Sequence, residues 1–219
     1  PGWGYCDVGV QWAVKRGYAC MFLNPEVLDK QFIIGENEIL LNNKTQYNAY
    51  STLIIPGCRT IPLSNLTKIK EYTYAGGTVI FTTVLPEKAT IKADDENVKS
   101  IVSQMVRNKK AIFIEVPSVR NLANVLDPLS SSFSLRFKGE DRLQNMHKIW
   151  DGRDLWYFAN PSERSKNVEI EIEGEHRLEI WDPHTGKTGK AIDVNHKDGK
   201  TSFRLSLDKS KSVFVVALN

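Results

Sequence analysis

Apolar residues recur at two different spacings along this chain, and the switch between them falls near the middle. Up to about Leu129 the spacing keeps alternating. Tyr5 to Gly17 places Val10, Ala13 and Val14 as a helix would, with Gly17 as its stop. Ala19 to Leu23 is a short apolar run that predicts a buried strand, and Pro25 to Lys30 predicts a short helix with proline at an early position. Phe32 to Ile34 and Ile39 to Leu41 flank a polar four-residue turn, which predicts a hairpin. Ser51 to Ile55 reads as a strand closed by Pro56-Gly57. A helix follows from a Ser64 cap to Ala75, with Leu66, Ile69, Lys70 and Thr73 on one face, and Gly76-Gly77 ends it. Thr78 to Phe81 is another continuous apolar strand. Asp94 is placed to cap a helix carrying Val98, Ile101, Val102 and Met105. A strand over Ala111 to Val116 and a helix over Ser118 to Leu126 complete the series. Continuous apolar strands separated by helices predict a parallel α/β sheet.

After Asp127-Pro128 and the serines at 130–132 only strand patterns remain. Val168, Ile170 and Ile172 alternate with glutamates. Leu178 and Ile180 alternate with Arg177, Glu179 and Trp181, and Phe203, Leu205 and Leu207 alternate with polar residues. Turn residues stand at Asp151-Gly152, Gly174, Pro183 to Gly186 and Asp198-Gly199. Ser212 to Leu218 is apolar at successive positions, as a central strand would be. The expected organisation is an α/β domain over 1–129 and a small antiparallel β-sandwich over 135–219.

At 219 residues the chain can bury two such cores, and its 41% hydrophobic and 25% charged content excludes wholesale disorder. The net charge of +3 is close to balance. The densest basic group, Arg107 to Lys110, falls where a helix should end and complements the helix dipole, so no nucleic-acid partner is expected. No apolar run approaches the roughly 20 residues a membrane span requires. Cys6 and Cys20 sit in apolar stretches and are expected as buried thiols. Asn43-Lys-Thr and Asn65-Leu-Thr match the glycosylation sequon, which matters only in a eukaryotic secretory pathway.

Parallel sheets bind ligands at the carboxyl ends of their strands. There the sequence offers Cys58 beside Arg59 after one strand, and Thr82-Thr83 after the next. A thiolate beside a guanidinium is a candidate nucleophile. Yet the first histidine is His147, so the first module contains no imidazole base. Acids at 94–96 suit a helix N-terminus, and Glu169, Glu171 and Glu173 form one solvated strand face rather than an acid pair across a cleft. His147, His176, His184 and His196 lack metal-ligand spacing, so neither metal nor cofactor is expected. Trp150, Trp156 and Trp181 are the candidates for stacking against sugar rings. Packing in the sandwich core or between the modules is the role preferred for them.

Two stretches resemble a known family. Residues 51–63, STLIIPGCRTIPL, followed by Leu66 to Tyr72 and Ala75 to Phe81, are similar to an accessory α/β domain of large bacterial glycoside hydrolases. The α-L-rhamnosidase-type enzymes are nearest, with the trimerisation domain of some β-galactosidases more distant. Residues 150–162, WDGRDLWYFANPS, and 179–187, EIWDPHTGK, resemble the β-sandwich that ends those hydrolases. The resemblance implies a flavodoxin-like or glutamine-amidotransferase-like sheet, here without its first strand, followed by a β-sandwich. In an amidotransferase the nucleophilic cysteine would follow the strand at Thr78 to Phe81, where this chain has Thr82 and Thr83. It therefore implies a catalytically silent accessory segment of a bacterial glycoside hydrolase. The catalytic domain would lie upstream in the same polypeptide, oligosaccharide would be a second candidate partner, and the setting would be periplasmic or extracellular. Two alternatives stay open: a carbohydrate-binding module using the tryptophans, and a stand-alone hydrolase or transferase with Cys58 as nucleophile.

Overall fold

The computed structural model describes residues 20, 22–41, 49–129 and 135–218. The predicted helix over Tyr5 to Gly17, Cys6 and the Asn43 sequon lie outside them. The described residues fall into two compact units, one within 22–125 and one comprising residue 20 with those within 126–218.

The first unit mixes helices with two small sheets. Helix α1 (Pro25–Lys30) starts at Asn24, whose side chain accepts the Val27 N–H at 2.8 Å. Strands β1 (Phe32–Ile34) and β2 (Ile39–Leu41) form the expected antiparallel hairpin, and β3 (Ala49–Tyr50) adds to its edge. Strands β4 (Thr52–Ile55), β5 (Thr78–Thr82) and β6 (Ile112–Ile114) form a parallel sheet in sequence order. Helices α2 (Leu63–Tyr74) and α3 (Asp95–Arg107) connect these strands, and α4 (Val119–Leu126) follows β6. Leu66, Ile69, Tyr72, Val79, Phe81, Val98, Val102 and Met105 fill the core of this unit. The basic group at Arg107 does end α3, where Lys109 turns left-handed at φ 54°.

Several local expectations are corrected. Ser64 lies inside α2, whose cap position is Pro62; the Ser64 hydroxyl bonds Asp29 instead. Asp94 ends a 3-10 turn and makes no capping bond, while Asp95 accepts the Ala89 N–H at 2.8 Å. Lys70 is only half-buried; Asn65 and Tyr72 take the buried stripe with Leu66, Ile69 and Thr73. Phe22 and Leu23 belong to no strand, and Cys20 is exposed rather than buried. Asn65 is buried with its amide donating to the Pro25 carbonyl at 2.9 Å, so the folded chain presents no glycan acceptor there.

The second unit is all β. One sheet orders β13 (Ile192–Lys197), β14 (Lys200–Leu207), β10 (Lys166–Glu173) and β7 (Leu135–Lys138). The other orders β12 (Thr188–Lys190), β11 (Arg177–Trp181), β15 (Ser212–Leu218), β9 (Arg153–Ala159) and β8 (Gln144–Trp150). All neighbours are antiparallel. Asp151-Gly152 and Asp198-Gly199 both have positive φ, as two-residue hairpin turns require. The alternation predicted for β10 and β14 is observed: Val168, Ile170, Ile172, Phe203, Leu205 and Leu207 are buried. They share one core with Trp156, Phe158, Leu178, Val213 and Val215 of the five-stranded sheet, in which β15 is central as expected.

Candidate functional site

The carboxyl ends of β4 and β5 are the first place to seek chemistry. The loop after β4 carries Gly57-Cys58-Arg59 and the loop after β5 carries Thr83. Thr83 has φ 67°, and the Val84 N–H bonds back to the Thr82 carbonyl at 2.8 Å, which makes Thr83 the centre of a γ-turn. Positive φ is unusual for a β-branched residue and stores strain. The two loops press together: a Cβ on Gly57 would lie 2.8 Å from the Thr83 Cβ. The hydroxyl oxygens of Thr82 and Thr83 are both buried without a hydrogen-bond partner.

None of these groups is activated. Burial pushes the Cys58 thiol up, so it stays protonated at neutral pH, opposite to what a nucleophile needs. Arg59 does not serve Cys58; its guanidinium bonds Glu87 at 3.0 Å, and its carbonyl accepts the N–H groups of Glu87 and Lys88. A threonine hydroxyl needs a base, and this half of the chain has no histidine.

The β unit holds the histidines, and it uses them structurally. His147 bonds Asp154 at 2.7 Å and stacks on Trp156 with centroids 5.1 Å apart. That hydrogen bond holds the Asp154 carboxyl below its ordinary value. His176 meets the Trp156 ring edge-on and bonds the Glu173 carbonyl. The His184 ring accepts the Ser212 N–H at 3.2 Å while its backbone N–H donates to the Asp182 carboxylate, within the turn that the Gly186 N–H closes on the Asp182 carbonyl. The glutamate face predicted on β10 is laced rather than merely solvated. Lys138 reaches Glu169 at 2.9 Å and Glu171 at 3.5 Å, and Lys200 reaches Glu171 at 3.8 Å. A shallow depression on this face holds Glu171 and Asp198 among Lys138, Lys197 and Lys200, a setting for ion pairs rather than for protonating a leaving group. Among the described residues no group of three or more His, Cys, Asp or Glu is placed to hold a metal ion, and no helix is long and apolar enough to cross a membrane.

The three tryptophans separate. Trp156 is 2% exposed, in the shared core, so its faces are not available to a sugar. Trp150 and Trp181 come together on the opposite face of the five-stranded sheet. Their centroids are 6.3 Å apart with planes at 81°. Trp181 shares that face with Glu179, as alternation predicts, and its indole N–H donates to the Glu179 carboxylate at 2.9 Å.

A residue passed over in the sequence proves central to the β unit. Asn160, 1% exposed, donates to the carbonyls of Arg164, Leu207 and Asp208 at 2.8, 3.0 and 3.1 Å. Its side-chain oxygen accepts from the N–H and hydroxyl of Ser162. The Asn-Pro-Ser stretch was legible as a motif, but its partners stand 47 and 48 residues away.

Comparison with known proteins adds what the geometry lacks. Residues 9–195 match the model of glycoside hydrolase family 106, described as alpha-L-rhamnosidase. The chain belongs to that family. Its fold is similar to that of a rhamnosidase from Novosphingobium sp. PP1Y, with a TM-score of 0.69 at 20% identity, covering 92% of this chain and 20% of that one. It also resembles the GH42 β-galactosidase Gan42B from G. stearothermophilus, with a TM-score of 0.57 at 11% identity over 96% of this chain and 35% of that one. At these identities the likeness is one of fold. A curated relative from Formosa agariphila, named "Putative beta-glucuronidase", is 29% identical over 93 residues, or 42% of this chain. This chain spans 8% of that relative and 20% of the rhamnosidase, so a glycoside hydrolase 106 chain of this size matches only a fraction of its relatives.

Proposed function

We propose that this chain is a non-catalytic accessory segment of a rhamnosidase-type glycoside hydrolase whose catalytic domain lies elsewhere in a longer polypeptide. The observation that carries the reading is the content of the strand ends after β4 and β5. A protonated thiol, two unpartnered hydroxyls and a strained γ-turn occupy the place where an α/β sheet binds ligands, and no base accompanies them. The small fraction of each relative that the chain matches supports the same reading. On it, residues 1–129 form a glutamine-amidotransferase-like, flavodoxin-like α/β domain that has lost its nucleophile. Residues 135–219 form a β-sandwich, made by the two sheets that share one core. The segment's work is to hold and extend the parent hydrolase, which acts on polysaccharide in the periplasm or outside the cell.

An antibody raised against the chain tests the premise in the native organism. The expected product is roughly five times this chain's length, by proportion to the 20% coverage of the rhamnosidase. A product no longer than the chain itself contradicts the reading.

A further inference from the structure

The five-stranded sheet has a second face, turned away from the shared core, and its side chains follow a pattern. Cross-strand register sets Thr188, Trp181, Phe214, Tyr157 and Met146 in one row across β12, β11, β15, β9 and β8. The next row on the same face runs Lys190, Glu179, Val216, Leu155 and Lys148; Val216 is fully buried there, so the face is open at Trp150 and Met146 rather than throughout. Beyond it stands Trp150, at the Asp151-Gly152 hairpin, with 55% of its surface exposed. Its ring meets that of Trp181 almost at a right angle, so the two indoles form a corner. The Tyr157 and Phe214 rings, 5.2 Å apart, form the floor beside it.

The corner is fixed before any ligand arrives. The bond from the Trp181 N–H to Glu179 holds one wall, and the edge-to-face contact sets the other. Surrounding it are a carboxylate, Glu179, and two ammonium groups, Lys148 and Lys190, on the same face. This mixture suits one class of ligand. A pyranose presents flat C–H faces that stack on an indole, and a belt of hydroxyls that bond to carboxylate and ammonium groups. A protein partner would bury this patch with apolar side chains and strip water from the charges around it.

We infer that the Trp150–Trp181 corner is a binding site for a pyranose unit of an oligosaccharide. Trp150 is the stacking platform, Trp181 the wall, and Glu179 the positioning residue that also accepts a sugar hydroxyl. The site goes beyond the accessory role and involves no bond cleavage by this chain. Its loss would leave that role standing.

Saturation-transfer NMR on the whole chain tests it, with methyl α-L-rhamnopyranoside, β-1,4-galacto-oligosaccharides and rhamnose-containing pectic oligosaccharides as probes. At least one probe should receive saturation at its ring C–H protons, and titration should give a dissociation constant that rises tenfold or more in Trp150→Ala. Trp150→Phe should keep part of the affinity, and Glu179→Gln should weaken it severalfold. Because more than half of the Trp150 surface is exposed, its variants should keep the circular-dichroism spectrum of the folded chain at the titration temperature, which separates lost binding from lost folding. Absence of transfer to every probe overturns the inference, as does binding unchanged in Trp150→Ala. Hydroxyl-radical footprinting of the natural polypeptide without sugar supplies a further check: a protected Trp150 would mean that protein covers the corner, and would overturn it too.

Discussion

Asn160→Asp is the substitution whose effect follows most directly from the geometry. The asparagine side chain offers two N–H donors and two acceptor positions, and all are used. The donors serve three carbonyls, one N–H being shared, and the oxygen takes two bonds from Ser162. These contacts tie the end of β9 in one sheet to the end of β14 in the other, so the residue joins two layers as well as shaping a loop. A net contribution of about 0.5–1.5 kcal/mol per bond over four positions puts truncation to alanine near 3 kcal/mol, after solvent relieves the partly exposed carbonyls. That is a large share of the roughly 5–15 kcal/mol that stabilises a typical domain. Aspartate keeps the size and the acceptor but aims a carboxylate oxygen at three carbonyl oxygens, so it should cost as much as alanine or more. Ser162→Ala, which removes one bond, should cost about 1 kcal/mol. Urea unfolding gives these values, and the melting temperature should fall by roughly 12–24 °C for the alanine and aspartate variants. If Asn160→Asp unfolds within about 1 kcal/mol of wild type, the hub is not what holds this end of the β unit together.

Two further predictions concern the α/β unit. The Tyr72 hydroxyl, buried beneath Gly77, is pushed up to about 12 by desolvation. Because the unfolded tyrosine loses its proton near 10 and the folded one later, stability should fall between those pH values, by about 2 kcal/mol, and Tyr72→Phe should flatten that decline in pH-dependent denaturation. Gly57→Ala should destabilise by more than about 1 kcal/mol through its contact with Thr83, while Thr83→Gly should relieve the positive φ and reduce that penalty. A double-mutant cycle with no coupling between the two positions would contradict this.

The parts of the fold legible in the sequence are those set by neighbours on one element. Alternation in β10 and β14 assigned their faces correctly, and Gly76-Gly77 marked the end of α2, because side-chain direction depends on strand and helix geometry alone. Capping was less legible. Ser64 and Asp94 both have the right chemistry for a cap, but Pro62 already occupies the cap position of α2, and a 3-10 turn carries the chain into α3. Cys20 looked buried because its neighbours are apolar, yet it is exposed. The role of Asn160, the packing of Thr83 against Gly57 and the meeting of Trp150 with Trp181 all depend on residues distant in the chain, which periodicity does not report. Cys58 falls between these cases. Its place at a strand end was readable, while its protonated state follows from burial that only the fold reveals.

The claim that this chain belongs to a glycoside hydrolase without performing the cleavage is tested most directly by its own activity. The purified chain, shown to be folded by circular dichroism, is incubated with 4-nitrophenyl α-L-rhamnopyranoside and with 4-nitrophenyl acetate. Release of 4-nitrophenol should match that of buffer in both cases, and Cys58→Ala should leave it unchanged. Turnover above buffer that disappears in Cys58→Ala or on substitution of a single carboxylate would contradict the account.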